Sequence, residues 1–330
     1  MPIENRRATE DRLESLREEA GRTGRVAGTG VPIAGGPLSS AVTSRPGYYG
    51  QPIVKAPVWT WQIGLYFFVG GTAGMSGVIA FASLVTGHSL EIVRAALGVA
   101  FAGALISPVL LIWDLGRPAR FLNMLRVFKW RSAMSMGVWT LVAFSGFVGS
   151  ALVTVGFVGQ PGASPFAAVR VIAVVLVAGT AVTGVVLATY TGVLLGATTI
   201  PVWSAHHRLL PFHFGIVGLG SAAAVLELFG FRLAPLNAIA CAAAIVETAA
   251  GGWLEASRHR GTSHAIHRGT PGLLLRAAAI LTGPLPLVLR MFGLVPAAGT
   301  CFLSGAVLSR YGWLFAGRAS ANEPVESLQV

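Results

Sequence analysis

The chain has 330 residues, of which 54% are hydrophobic and only 11% are charged. This balance is too apolar for a soluble domain of that length, so it favours an integral membrane protein. The formal net charge of +11 would suit nucleic acid, but no nucleic-acid-binding motif accompanies it. The basic residues cluster at the ends of apolar runs, where they orient membrane proteins and meet anionic headgroups, so we expect membrane lipid and no nucleic acid as partner.

The cysteines and histidines limit the cofactors that this protein can hold. Cys241 and Cys301 stand alone inside apolar runs, without a CxxC-type ligand set for zinc or an iron–sulfur cluster. Haem bound across a helix bundle needs two histidines from facing helices, and only His213 falls inside a predicted span. We therefore expect no metal site, no haem and no iron–sulfur cluster on this polypeptide.

The first 57 residues differ from the rest. Residues 1–20 mix acids and bases with few apolar side chains, which predicts a short solvated helix, and residues 21–47 are rich in Gly, Ser, Thr and Pro, as linkers are. Arg6 and Arg7 form a twin-arginine pair, but no apolar run follows them, so we expect no export signal. We interpret residues 1–57 as a polar, largely disordered tail.

From Trp59 onward, the sequence contains repeated apolar runs long enough to cross about 30 Å of hydrocarbon as helices, for which roughly 20 residues suffice. We count eight such runs, which predict an all-α integral membrane protein with eight transmembrane helices. They lie near residues 59–86, 92–114, 134–158, 167–199, 210–230, 234–255, 271–291 and 295–317. Gly70 and Gly74 share one face of the first helix, as expected for close helix packing in lipid.

The distribution of basic residues predicts the orientation of these helices. Eighteen arginines and lysines lie on the side of the N-terminus and four on the other side, while Arg276 and Arg310 fall within helices. By the positive-inside rule, this asymmetry places both termini in the cytoplasm, and an even number of spans agrees with that placement.

A charged stretch separates the second and third predicted spans. Gly116 and Pro118 end the second helix after Asp114. Helical periodicity then returns, with apolar and polar side chains on opposite faces, which is typical of a helix in the membrane interface. The apolar face has Phe121, Leu122, Leu125 and Phe128, and the polar face has Arg120, Asn123 and Arg126. The stretch is either an orientation signal or a docking surface for a partner subunit, in which Asp114 and Arg117 pair to shape the turn.

Three segments resemble the NrfD family, the membrane subunits of polysulfide reductase and related molybdopterin oxidoreductases. They read "GLYFFVGGTAGMSG", "LLIWDLGRPARFLNMLRVFKWRSAMSMGVW" and "ATYTGVLLGATTIPVW". The resemblance covers residues 59–203 well, whereas the part after Leu210 resembles the family mainly by its four further helices.

The resemblance implies a fold of two four-helix bundles in the bacterial inner (cytoplasmic) membrane. The corresponding division has residues 58–200 as the first bundle with an interfacial loop at 115–131, residues 201–318 as the second, and residues 319–330 as a C-terminal tail. It also implies a pocket for menaquinone or ubiquinone near a four-cluster ferredoxin-like iron–sulfur subunit, which serves a molybdopterin-type catalytic subunit.

A quinone site needs donors to two carbonyl oxygens in a mostly apolar pocket, so polar groups at helix depth are candidates. Gln62 and Tyr66 share a face of the first helix near its start, and Tyr190 lies near the end of the fourth helix, on the same side of the membrane. By resemblance, Tyr190 matches the quinone-binding tyrosine of the family. Tyr66 falls where the polysulfide reductase subunit has a histidine, and Gln62 lies near its asparagine. Either tyrosine could instead belong to an aromatic belt at the headgroups.

Three ionisable residues, His213, Glu227 and Glu247, fall inside the fifth and sixth predicted helices. Charges at that depth usually face a cavity or a partner, so they form a candidate proton path, with a structural hydrogen bond as the alternative.

The residues and the resemblance together predict a quinone-interacting membrane anchor subunit that exchanges electrons between the quinone pool and an iron–sulfur partner. Two alternatives remain. A passive anchor would hold an enzyme at the membrane without quinone chemistry, and a secondary transporter would show inverted repeats and substrate-binding charges at the midplane.

Overall fold

The computed structural model describes residues 59–115, 120–158, 167–257 and 264–322. These residues belong to one compact unit. The described part of the protein forms twelve helices: α1 (Trp61–Val85), α2 (Leu90–Asp114), α3 (Arg120–Arg126), α4 (Ala133–Val158), α5 (Ala167–Gly196), α6 (Pro201–Ala205), α7 (Leu209–Leu228), α8 (Ala234–Ala256), α9 (His264–His267), α10 (Gly269–Thr282), α11 (Pro284–Met291) and α12 (Val295–Asn322).

Within the described ranges, seven segments are long and apolar enough to cross a membrane: α1, α2, α4, α5, α7, α8, and the pair α10 and α11 taken together. The prediction of an all-helical, multi-pass membrane protein is therefore confirmed. The eighth predicted span corresponds to α12, which has 28 residues but includes Arg310 and is not among these seven segments. The count of eight stays a prediction.

Helix α1 lies at the centre of the molecule, because it packs against α2, α5, α7 and α12. Two glycine pairs allow this close packing. A Cβ on Gly74 would lie 2.3 Å from the carbonyl oxygen of Gly184 on α5, and a Cβ on Gly218 of α7 would lie 2.8 Å from the carbonyl oxygen of Gly71. The predicted packing role of the glycine face on α1 thus extends to two partner helices.

The remaining contacts fall into two groups. Helices α1, α2, α4 and α5 form a closed ring of neighbours, and α8, α10, α11 and α12 pack mainly against one another and against α7, which also contacts α1 and α5. At the connection between the groups, α5 ends directly beside the start of α7, since a Cβ on Gly192 would lie 2.4 Å from the backbone nitrogen of Pro211. One end of the molecule therefore contains the end of α2, the start of α4, the end of α5 and the start of α7.

The seventh span is broken in its interior. Helix α10 ends at Thr282, Gly283 adopts φ −103° and ψ −104°, and α11 begins at Pro284. Pro284 and Pro286 have no N–H, so the carbonyls of Ile280 and Thr282 lose their intrahelical hydrogen bonds. The sequence prediction of one helix over 271–291 missed this break.

The predicted interfacial helix exists as α3 but ends at Arg126, so Phe128 lies beyond it and is exposed. Phe121 is half-buried on the side of the bundle, whereas Asn123 and Arg126 are exposed. The predicted separation of apolar and polar side chains onto opposite faces is thus present, but only within one short helix.

Candidate functional site

A cavity with a volume of about 100 Å³ lies among α1, α2, α4 and α5, near the end where α2 ends and α4 begins. Its walls are mostly apolar, and its polar side chains include two tyrosines and one carboxylate. The lining residues are Trp59, Ile63, Tyr66, Phe67, Leu111, Asp114, Leu115, Phe121, Met134, Gly137, Val138, Tyr190 and Leu194.

Tyr66 and Tyr190 approach this cavity from different helices. Tyr66 on α1 is 2% exposed and Tyr190 on α5 is 8% exposed. The Tyr190 ring fits against Gly137 at the start of α4, where a Cβ would lie 1.9 Å from Cζ of the ring. No hydrogen bond joins either phenol hydroxyl to another of the described residues. Both hydroxyls are therefore available to a ligand in the cavity.

Gln62 lies at the same end of α1 but does not line the cavity. Its side chain is buried and accepts a hydrogen bond from the Thr60 hydroxyl. The backbone N–H of Thr60 also donates to Asp114 at 3.2 Å, and the single hydroxyl proton of Thr60 is shared between the side-chain oxygens of Gln62 and Asp114. Asp114 thus lines the cavity and joins the start of α1 to the end of α2, while Gln62 supports this connection through Thr60.

Three of the four predicted docking residues lie in helices that contribute to the wall of this cavity. Asp114 lines it, Arg126 is exposed at the end of α3, and Arg120 begins α3. Arg117 lies outside the described residues. Asp114 has a hydrogen-bonding role in the turn from α2, independently of any ion pair with Arg117.

A second cavity, of about 40 Å³, lies among α7, α8, α10 and α12. His213 and Glu247, both predicted from the sequence, meet on its wall. The Nδ1 atom of His213 is 3.0 Å from Oε1 of Glu247, and its Nε2 atom is 2.8 Å from the Ser309 hydroxyl. Glu247 is only 3% exposed. Ser309 was not predicted, because a serine in an apolar helix most often bonds its own backbone.

Glu227, the third member of the predicted proton path, lies away from this cluster. Its carboxylate binds the guanidinium of Arg290 through two hydrogen bonds of 2.7 and 2.5 Å, and Arg290 also binds Asn237. Both charged side chains are almost fully buried. This network joins α7, α8 and α11 at the end opposite to the first cavity, which is the arrangement of a structural ion pair.

Arg310 on α12 is the buried charge that sequence reasoning left without a role. It is 1% exposed, its guanidinium lies 3.8 Å from the Phe214 ring centroid, and its Nη2 donates to the Phe214 carbonyl at 3.0 Å. The residue before it, Ser309, contacts His213 in the second cavity. An arginine inside an apolar run was the available signal, since such residues usually face a partner within the bundle.

Tryptophan side chains connect the two cavities. Trp59 lines the first cavity and stacks on Trp203 with a centroid distance of 5.3 Å. The indole N–H of Trp203 donates to the backbone carbonyl of Trp313 at 2.8 Å, and Trp313 lines the second cavity. The indole of Trp203 packs directly against Gly317, where an added Cβ would lie 2.1 Å from the indole. The two halves of the molecule are thus joined by a buried aromatic contact.

The family model described as polysulphide reductase, NrfD, matches residues 51–240, which is more than half of the protein. The chain belongs to the NrfD family. The first cavity and its two tyrosines lie within the matched residues, whereas Glu247, Ser309 and Arg310 lie beyond them. Among curated proteins, this NrfD protein is similar to the C chain of polysulfide reductase from Wolinella succinogenes, with 34% identity over 94 residues. That alignment covers 26% of the NrfD protein and 29% of the relative, so it spans less than a third of the relative's length.

Proposed function

We propose that this protein is the quinone-reactive membrane subunit of a multi-subunit oxidoreductase, exchanging electrons between the quinone pool and an iron–sulfur partner. The observation that carries the proposal is the first cavity, in which Tyr66 and Tyr190 lie on an apolar wall without hydrogen-bond partners among the described residues. Membership of the NrfD family and the name of the Wolinella relative, one chain of a reductase, support the same assignment.

The chemistry of the cavity fits a quinone head group. A phenol hydroxyl can donate one hydrogen bond to a carbonyl oxygen, and apolar walls make such a bond more valuable than it is in water. Asp114 lies at the same wall, close to the end of α2, and its carboxylate can receive and return protons at the membrane surface. Menaquinone and ubiquinone both carry the two carbonyl oxygens that this arrangement would bind.

The wider assembly follows from the same proposal. Helices α1, α2, α4 and α5 form the first four-helix bundle, and α7, α8, the pair α10 and α11, and α12 form the second, with α12 as the eighth span. A four-cluster ferredoxin-like iron–sulfur subunit docks beside the first cavity on the face that contains Asp114 and Arg126, and connects it to a molybdopterin-type catalytic subunit. The protein lies in the bacterial cytoplasmic membrane, with both termini in the cytoplasm.

The test replaces each cavity tyrosine by phenylalanine, which keeps the ring and removes the donor. A hydrogen bond contributes about 0.5–1.5 kcal/mol net, and more when its loss leaves a polar group unpaired in an apolar pocket. We expect Tyr190→Phe to lower quinone-linked turnover about tenfold or more, since a factor of ten needs only about 1.4 kcal/mol. Tyr66→Phe should act in the same direction.

Two controls make this test specific. Activity of the catalytic subunit with a soluble dye should not change in either variant. Tyr311→Phe removes a phenol that bonds the Trp61 carbonyl outside the cavity, and it should leave quinone turnover near the parent value. Parental quinone turnover in both cavity variants would favour the passive anchor, and a secondary transporter would require substrate uptake by vesicles that contain this protein alone.

A further inference from the structure

The second cavity lies beside the break in the seventh span. Thr282, the last residue of α10, lines the cavity, and Gly283 packs against Thr248, the residue after Glu247. Broken helices with free carbonyls at membrane depth are tolerated where they line a cavity, and they often mark ion or proton sites. We infer that this cavity is a protonation site, in which water delivers one exchangeable proton to the His213–Glu247 pair. The inference does not depend on quinone binding.

Glu247 has basic groups near it on two neighbouring helices. An isolated carboxylate in an apolar interior is costly. His213 supplies a hydrogen bond to Glu247, and Arg310 follows Ser309 on α12 and binds the carbonyl of Phe214, the residue after His213. With His213 neutral, the charges of Glu247 and Arg310 cancel. The cluster therefore has no net charge before it takes up a proton.

Proton uptake requires little rearrangement. In the neutral form, the hydrogen-bond network assigns the ring proton to Nδ1, which donates to Glu247, and lets the Ser309 hydroxyl donate to Nε2. A proton from a cavity water then binds to Nε2, leaving hydroxide to the bulk solvent. The Ser309 hydroxyl turns to accept from the new N–H, and the net charge of the cluster rises from zero to about +1.

The helix break stabilises that added positive charge. The C-terminal end of a helix has a partial negative charge, and α10 ends at Thr282 on the cavity wall. Thr282 lines the cavity, and its carbonyl, freed by Pro286, adds an acceptor for protein-bound water. A continuous helix at this position would offer neither.

The cavity reaches toward one face of the molecule. Leu209 at the start of α7 and Leu254 near the end of α8 line it, and these helix ends lie on the same side as the first cavity. Other titratable groups stand near this mouth: His267 and Arg276 bind Glu255, and His206 packs against Trp313. Burial lowers the pKa of His206, against an opposing hydrogen bond to the Val202 carbonyl. We place proton exchange on this face, because the opposite end contains the Glu227–Arg290 ion pair.

The experiment measures hydrogen–deuterium exchange at the imidazole C2 position of each histidine, by mass spectrometry of the full-length protein in lipid nanodiscs across a pH series. This exchange proceeds through the protonated ring, so each histidine reports its own titration. We expect a sigmoidal curve for His213. Glu247→Gln should weaken proton binding at His213 at least about tenfold, because it removes an opposite charge within hydrogen-bonding distance. Glu255→Gln, on the same helix but outside the cavity, should leave the His213 curve unchanged.

Two matched glycine variants test the role of the cavity itself. Gly251 lines the cavity and its added Cβ would lie 3.1 Å from Ala279, whereas the added Cβ of Gly252 meets nothing within 4 Å. Gly251→Val should slow exchange at His213 severalfold, and Gly252→Val should not.

Three results would overturn the inference. The first is a His213 curve that stays flat with pH, and the second is equal slowing by the two glycine variants. The third is a midpoint that moves when sodium replaces choline at constant ionic strength, which would make the cavity a metal-cation site.

Discussion

The position of the Tyr190 ring depends on Gly137, a residue of another helix, because glycine has no side chain. Gly137 near the start of α4 leaves the space that the phenol ring fills, and any Cβ there would overlap the ring. The sequence identifies Tyr190 as a polar group at helix depth, but the requirement for glycine at position 137 follows only from the packing of α4 on α5.

Gly137→Ala should therefore displace the Tyr190 ring from the cavity without removing its hydroxyl. We expect quinone-linked turnover to fall at least as far as in Tyr190→Phe, since an added methyl group in a packed site forces side-chain or backbone shifts. Gly146→Ala is the matched control on the same helix, because its Cβ would meet nothing within 4 Å. Equal turnover in the two alanine variants would show that the ring position is not important.

The buried Glu227–Arg290 pair should contribute to stability rather than to proton transfer. Glu227→Gln leaves Arg290 buried without its counter-charge, which typically costs about 3–5 kcal/mol. We expect a clearly lower thermal unfolding midpoint in detergent for this variant, and a smaller loss for the double variant Glu227→Gln/Arg290→Gln. Glu255→Gln, whose side chain is about half exposed, should change the midpoint little. If Glu227→Gln kept the parental stability but impaired proton uptake, Glu227 would belong to the proton path after all.

At the scale of secondary-structure elements, α3 and the residues around it form the most distinctive surface. Arg126 is exposed at the end of α3, and Phe121 turns inward to line the first cavity. A short helix that has one face on the first cavity and the other in solvent is well placed to bring a partner close to that cavity.

We expect the polar face of α3 to hold the iron–sulfur partner. Reversing Arg120 and Arg126 to Glu should release that partner on mild detergent extraction, because a charged rim steers and orients association. The variant protein should still insert into the membrane. Reversal of Arg170, which is exposed near the start of α5 at the other end of the bundle, is the control. A complex that survives the double reversal intact would make this segment an orientation signal only.

At the scale of the whole molecule, the distribution of arginines and lysines predicts the orientation in the membrane. The face that contains both cavities should lie in the cytoplasm, since eighteen basic residues flank it against four on the other face. Reporter fusions after Pro161 should be active outside, and fusions after Ala205 should be active inside. The reverse pattern would place the partner subunit on the outer face, and two reporters on one side would contradict the helix count between them.

The positions of the spans were available from the sequence, because the membrane imposes a local requirement. A run of about 20 apolar residues must become a helix to satisfy its own backbone in lipid. The predicted runs 92–114 and 134–158 therefore agree closely with Leu90–Asp114 and Ala133–Val158. The sequence Gly-Pro-x-Pro also indicates the break at Gly283. A hydropathy value averaged over a window of residues does not detect such a short feature.

Which polar groups meet was decided by the tertiary structure alone. Sequence reasoning named Tyr66, Tyr190, His213 and Glu247 because each is a costly polar residue at helix depth, and it grouped them only by depth and by side of the membrane. Whether two of them share a cavity depends on helix rotation and crossing, and small residues such as Gly74 and Gly184 set these at contacts between distant parts of the sequence. For the same reason, Glu227 was grouped with His213 by depth, although packing pairs it with Arg290, 63 residues away.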